Sequence, residues 1–205
     1  MLIGISLGPG DPELLTLKAV AALKRCKKVF VPGDKAAELV QPYSKFEIIP
    51  FPMVNDKNEQ ERIFQQNADI VVKFALSETT GFAVIGDVNT FSTFNHIKRV
   101  IRQSHPEIEI ETIPGVGVVP ALAARFDFPL ERSYTVSDGS PVESIIRMKA
   151  IRPRKEAEEL CREGFDEFIL GTGLYTPEER IIRGEMPEKS EYFSVLLARK
   201  HRIDK

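Results

Sequence analysis

Three times along this chain an apolar run empties through a glycine-bearing loop into a helix signal, and that recurrence limits the possible folds more than any other feature. The first run is Leu2-Ile3-Gly4-Ile5-Ser6-Leu7, followed by Gly8-Pro9-Gly10-Asp11. The second is Gly81-Phe82-Ala83-Val84-Ile85, followed by Gly86-Asp87-Val88-Asn89-Thr90. The third is Ile108 to Ile113, followed by Pro114-Gly115-Val116-Gly117. Short apolar strands alternating with helices imply a parallel sheet covered on both faces. Loops at the carboxyl ends of strands in one parallel sheet open on the same edge, where such sheets hold ligands. Three plain connections would give the same pattern, so the spacing alone leaves a ligand site and simple turns both open.

The first loop marks a helix start. Asp11 can cap free backbone N–H groups, Pro12 suits the first helical position, and Glu13 favours the positive end of the dipole. Leu14, Leu17, Val20 and Ala21 then read as a core-facing stripe running to Cys26. The loop is not a dinucleotide fingerprint, because Pro12 and Glu13 follow Gly10, and it lacks the Lys-Ser/Thr pair of a Walker loop. Pro9 between two glycines stiffens the turn and removes a donor. That suits the wall of a cleft, lined by Pro9 and Gly10, better than a nest of N–H groups.

The other expected elements of this half are strands at Lys28–Val31 and Phe46–Ile49 and a helix from Asn55 to Ser77 with Ile63, Ile70, Val71 and Phe74 inward. Gly81–Ile85, nearly all apolar, reads as a central strand. Helices are expected through about Gln103 and from Val119 to Phe126. Beyond Gly115 the pattern changes. Strand-like pieces at Tyr134–Val136, Ser144–Ile151, Phe168–Leu170 and Tyr192–Ala198 surround a helix at Arg154–Glu163. The expectation is an α/β chain of two domains: a parallel-sheet α/β domain over 1–114 and a mixed α+β domain over 115–205.

With 205 residues, 42% hydrophobic and 28% charged, the chain can build a real core. Its net charge of −2, with scattered basic residues, argues against nucleic acid. Cys26 and Cys161 form no CxxC, and His96, His105 and His201 form no ligand spacing, so no protein-bound metal is expected. No apolar run approaches membrane-spanning length and no signal-peptide pattern is visible; a cytoplasmic, non-membrane chain is the expectation.

Taken together, Gly8-Pro9-Gly10-Asp11-Pro12-Glu13-Leu14-Leu15-Thr16-Leu17-Lys18-Ala19, Gly86-Asp87 with Phe91-Ser92-Thr93-Phe94, and Ile113-Pro114-Gly115-Val116 closely resemble the tetrapyrrole methylase family. The resemblance runs from Leu2 to Leu197. Ser92-Thr93-Phe94 and the closing Tyr192-Phe193-Ser194-Val195-Leu196-Leu197 look most like the branch that methylates C-20 of precorrin-2 or cobalt-factor II. The resemblance implies S-adenosylmethionine as methyl donor, a precorrin-type ring as substrate, a role in cobalamin biosynthesis, two domains with the cofactor between them, and a homodimer. A methylase for another ring carbon and a non-catalytic tetrapyrrole- or cofactor-binding relative are the alternatives.

Carried over by position, the resemblance puts Pro9 where ring and cofactor meet. It puts Ile85, Gly86 and Asp87, with Thr90, around the methionine part of the cofactor, Gly117 and Val118 after Pro-Gly-Val, and Met148 against the adenine. The chain departs from the pattern at Val88, where the family has proline, at Phe91, where it has tyrosine, and at Gly117 and Val118, where small hydroxyl residues are usual. Asp87 also reads as a helix cap, Met148 as core, and His96 as solvent-facing or packed. No side chain stands out as acid, base or nucleophile. Methyl transfer from a sulfonium to an electron-rich ring carbon needs alignment and desolvation more than proton transfer. Arg125, Arg132, Arg147 and Lys149 are candidates to receive ring carboxylates.

Overall fold

The computed structural model describes residues 1–52 and 56–201. It divides into two compact units, Met1–Arg132 and Ser133–Lys205. The helix expected after the third loop therefore falls in the first unit, and the division comes later than the 114/115 boundary suggested by the sequence.

The first unit is a five-stranded, wholly parallel sheet of β1 (Leu2–Ser6), β2 (Lys28–Val31), β3 (Phe46–Ile48), β4 (Thr80–Val84) and β5 (Ile110–Ile113). The spatial order is β3-β2-β4-β1-β5, so the apolar strand read as central is central. The register sets Ser6 beside Val84 and Ile5 beside both Ala83 and Ile113. Its described residues also form the α-helices α1 (Leu17–Arg25), α2 (Asp34–Val40), α3 (Lys57–Ala75), α4 (Phe94–Ser104) and α5 (Val118–Arg125).

The sheet separates two apolar cores, as strand alternation requires. Ile3, Ile5, Leu7, Val29 and Val31 pack with Ala19, Leu23, Leu39 and Val40. Leu2, Phe30, Phe82 and Val84 pack with Ala68, Val71, Phe94 and Ile97. Gly4 is required here: a Cβ on it would lie 2.5 Å from the Phe94 ring, so only glycine lets that ring lie on β1.

The opening helix is not continuous. Asp11 caps a single 3-10 turn, Pro12–Leu14, by accepting from the Glu13 N–H. Leu15 and Thr16 are extended, and the Thr16 hydroxyl accepts from the Ala19 N–H to start α1 afresh. That break resets the helical phase, so the buried stripe is Ala19, Ala22, Leu23 and Cys26, and not the expected Leu14, Leu17, Val20 and Ala21. Leu17 is 90% exposed. Helix α3 is capped by Asp56, which accepts from the Asn58 and Glu59 N–H groups; the expected start at Asn55 lies outside the described residues. Of its expected inner residues Val71 is buried, while Ile63, Ile70 and Phe74 are half-buried beside Phe64, Asn67 and Ala68.

The second unit has a four-stranded antiparallel sheet of β6 (Ser144–Met148), β7 (Glu167–Thr172), β8 (Arg180–Arg183) and β9 (Ser194–Arg199), in the order β6-β9-β7-β8. Helix α6 (Pro153–Arg162) covers one face through Ala157 and Leu160, which meet Leu170, Leu196 and Ala198. Tyr134–Val136, expected as a strand, is irregular and exposed. A β-prone run without a ladder partner does not make a strand. Just after it, Ser137 and Asp138 satisfy the Gly139 and Ser140 N–H groups locally.

Candidate functional site

The carboxyl edge of the parallel sheet brings the three glycine-bearing loops together, as their shared position in the sequence pattern demanded. Past the ends of β1 and β4 the chains continue side by side. Leu7 donates to the Val84 carbonyl at 2.8 Å, and Gly8 and Gly86 exchange backbone hydrogen bonds at 3.3 and 2.7 Å. Both glycines have positive φ, 70° and 81°, a region that non-glycine residues enter at a cost.

Asp87 ties the second loop to the third. Its Oδ1 accepts from the Asn89 N–H at 2.9 Å and from the Thr90 hydroxyl at 3.2 Å. Its Oδ2 accepts from the Gly115 N–H at 3.1 Å. So the carboxylate caps its own loop and also holds Pro114-Gly115 against it. Hydrogen bonds to a charged acceptor are stronger than neutral ones, which suits a junction between strand ends.

Ser6 completes the junction from below. It is fully buried at the end of β1. Its hydroxyl donates to the Ile113 carbonyl at 2.7 Å, accepts from the Val88 N–H at 2.8 Å and lies 3.4 Å from Asp87 Oδ2. Ser6 was not singled out in the sequence, where it reads as one small residue in an apolar strand. A buried hydroxyl in a central strand needs partners, and that was the available signal. Gly115 is required by the same contact, since a Cβ on it would lie 2.5 Å from Ser6 Cβ.

Above this stitched base the loops are open. Nothing lies within 4 Å of a Cβ built on Gly10, Gly86 or Gly117, so a ligand can approach three stretches of bare backbone. Pro9, Gly10, Ile85, Thr90 and Val118 are exposed around them, and Gly86, Asp87 and Gly117 are half-buried. Ile85 at 40% and Val118 at 60% exposure offer apolar surface beside the loop carbonyls. Phe91, the aromatic residue where tyrosine is usual, is 67% exposed on a backbone with φ 47°. An aromatic residue in that region is an outlier that its surroundings must impose. Open backbone and partly apolar surface are therefore accessible side by side at this edge.

The other sequence candidates lie as follows. Val88 is fully buried in the core shared with Phe82 and Phe94. His96 stacks on the Phe64 ring at 4.3 Å between centroids, and its pKa is lowered by burial and by Arg99. It is exposed to solvent while stacked on that ring, so it combines the two readings of the sequence. Arg125 ends α5 and Arg132 is exposed. In the second unit Met148 is 72% exposed on β6, Arg147 pairs with Glu159 at 3.4 Å, and the Lys149 ammonium sits 5.1 Å over the Tyr192 ring. Among the described residues no group of three or more His, Cys, Asp or Glu is placed to hold a metal ion, and no helix is long and apolar enough to cross a membrane.

Comparison with known proteins gives a consistent picture. The profile of the Tetrapyrrole (Corrin/Porphyrin) Methylases matches residues 1–189. A probable cobalt-precorrin-2 C(20)-methyltransferase of Methanocaldococcus jannaschii is 27% identical over 207 aligned positions, covering 90% of this chain and 87% of the relative. The cobalt-precorrin-2 C(20)-methyltransferase of Salmonella typhimurium is 31% identical over 63% of this chain and 58% of its own length. Among solved structures, the methyltransferase CobJ superposes with a TM-score of 0.52 at 17% identity, over 97% of this chain and 93% of that one. A uroporphyrin-III-C-methyltransferase from Thermus thermophilus gives 0.52 at 18% identity, over 97% and 91%. At these identities the structures speak for the fold.

Proposed function

The chain belongs to the tetrapyrrole methylase family, and from that premise we propose that it transfers a methyl group from S-adenosylmethionine to C-20 of precorrin-2 or its cobalt-bearing form, in cobalamin biosynthesis. The observation that carries the reading is the junction of three loops at one sheet edge, with open backbone at Gly10, Gly86 and Gly117 above a base tied together by Ser6 and Asp87. Both curated relatives support C-20 as the position.

In this reading Pro9 and Gly10 line the reaction cleft. Ile85, Gly86, Asp87 and Thr90 hold the methionine part of the cofactor, Gly117 and Val118 pass beside it, and Met148 packs on the adenine. When bound, the cofactor supplies an activated methyl on a positively charged sulfur. What the chain contributes is placement: loops tied together at their base by Ser6 and Asp87 that orient the donor. Placement of this kind can lower a barrier by roughly 7–11 kcal/mol. Arg and Lys side chains receive the ring carboxylates. The chain works as a cytoplasmic homodimer and holds no metal of its own.

Gly117 and Val118 favour one further reading, binding without turnover, because neither residue offers a side-chain hydroxyl to the cofactor. Incubation with S-adenosylmethionine and each ring separates the two. Transfer of one methyl group to either ring supports the enzyme; cofactor binding with no transfer to any precorrin supports the binding protein. Failure to bind S-adenosylmethionine or its demethylated product, with or without EDTA, overturns both.

A further inference from the structure

We propose that Ser6 is the positioning residue of the methyl-donor site, setting the spacing of the loops after β4 and β5 through a hydrogen bond from the Val88 N–H that a proline at that position could not make. The proposal rests on the function reading above. Ser6 lies at the base of the loop junction and is fully buried. Its hydroxyl joins the loop after β4 to the last residue of β5, accepting from the Val88 N–H at 2.8 Å and donating to the Ile113 carbonyl at 2.7 Å.

The hydroxyl's single proton cannot serve two acceptors at full strength. The 2.7 Å contact with Ile113 takes it, and the 3.4 Å approach to Asp87 Oδ2 is the weaker of the two. Asp87 Oδ2 is held by the Gly115 N–H at 3.1 Å instead. The result is a closed set of contacts: Ser6 to both strand ends, and Asp87 from one loop to the other. Both loops carry residues assigned to the cofactor, Gly86, Asp87 and Thr90 on one and Gly117 and Val118 on the other.

Proline at 88 has no N–H and would ask nothing of Ser6. Valine has one, in a position that is fully buried, and an unpartnered buried donor is costly. Valine at 88 and serine at 6 therefore depend on each other. Removing the hydroxyl should shift the second loop until the Val88 N–H finds another partner, taking Asp87 and Thr90 with it. Replacing Val88 by proline should remove that demand.

The test is a double-mutant cycle of Ser6→Ala and Val88→Pro, read as the affinity for S-adenosylhomocysteine by calorimetry well below each melting temperature, together with hydrogen exchange at the Gly115 amide in all four chains and at the Val88 amide in the two chains that keep valine. Ser6→Ala should bind at least tenfold more weakly and lose protection at both amides. The Ser6→Ala, Val88→Pro chain should recover to within about threefold of Val88→Pro alone. Should Ser6→Ala not fold, Ser6→Cys, with its weaker donor and acceptor, should show the smaller loss and the same recovery. Unchanged affinity with only a lower melting temperature would make Ser6 merely structural. Equal losses from Ser6→Ala in both backgrounds would overturn its link to Val88. If the unaltered chain binds no S-adenosylhomocysteine, the function reading fails and takes this inference with it; the amide protection would then report only on folding.

Discussion

Replacing Asp87 by alanine removes the acceptor for two N–H groups and one hydroxyl in two different loops. Asn89 and Thr90 are exposed, so water replaces the carboxylate there and the loss is that of ordinary loop hydrogen bonds, about 1 kcal/mol. The Gly115 N–H is part-buried, and losing its charged partner adds about 1–2 kcal/mol. The total is about 2–3 kcal/mol, which corresponds to a fall in melting temperature of about 5–10 °C at roughly 2–4 °C per kcal/mol. Asp87→Asn separates the two parts. Its amide oxygen can still cap Asn89, but its NH2 then faces the Gly115 N–H, donor against donor. It should recover about half of the loss. Cofactor affinity should fall about ten- to a hundredfold for Asp87→Ala, since the loop itself is displaced. Thermal melting followed by calorimetry on the three chains measures both. An alanine chain that melts with the wild type would refute the claim that Asp87 ties the loops together. An asparagine chain as stable as wild type would refute the share assigned to Gly115.

Other expectations can be checked alongside. Gly4→Ala places a Cβ 2.5 Å from the Phe94 ring and should cost about 1–3 kcal/mol by overpacking, visible in urea unfolding as a lower midpoint. Gly10→Val should cost stability through its φ of 124° and not through a clash, because no atom lies within 4 Å of the new Cβ; its larger effect should be on cofactor and ring binding. Burial raises the Cys26 thiol to about 11, whereas Cys161 is exposed, so a thiol reagent near pH 8 should label Cys161 in the native chain and Cys26 only after unfolding. By NMR titration His96 should protonate below the ordinary histidine value, because burial and Arg99 disfavour its charged form, and His201 above it, because Asp166 hydrogen-bonds and attracts that form. His96 then favours folding least in acid, its contribution being lost as pH falls from its unfolded pKa to its lower folded one. The His201 contribution is present in acid and lost as pH rises through its folded pKa.

The parallel sheet and its site edge were legible because the signals were local: apolar runs, glycines at their ends, and caps at the next helix. The phase of α1 was not, because Leu15 and Thr16 break the chain into two helical pieces that look continuous in the sequence. Helix α2 and strand β8 went unread for a related reason. Asp34–Val40 spans only two turns, and Arg180–Arg183 becomes a strand only by pairing with β7. At the loop junction, Gly86 and Asp87 could be named as candidates from motif position. Ser6 could not, because its partners Val88 and Ile113 are far off in sequence, and only strand register brings them to one hydroxyl.

The central claim is methyl transfer by placement, with no side-chain base. The most direct measurement is single-turnover transfer from S-adenosylmethionine to precorrin-2 and to cobalt-factor II, with the product's mass and methyl position determined and the rate followed from about pH 6 to pH 9. The account predicts one added methyl at C-20 and a rate nearly flat across that range, since no histidine or cysteine lies in the three loops. A methyl at another carbon would contradict the assigned position. A steep bell-shaped profile, or a single side chain whose removal abolishes transfer while both ligands still bind, would contradict the mechanism.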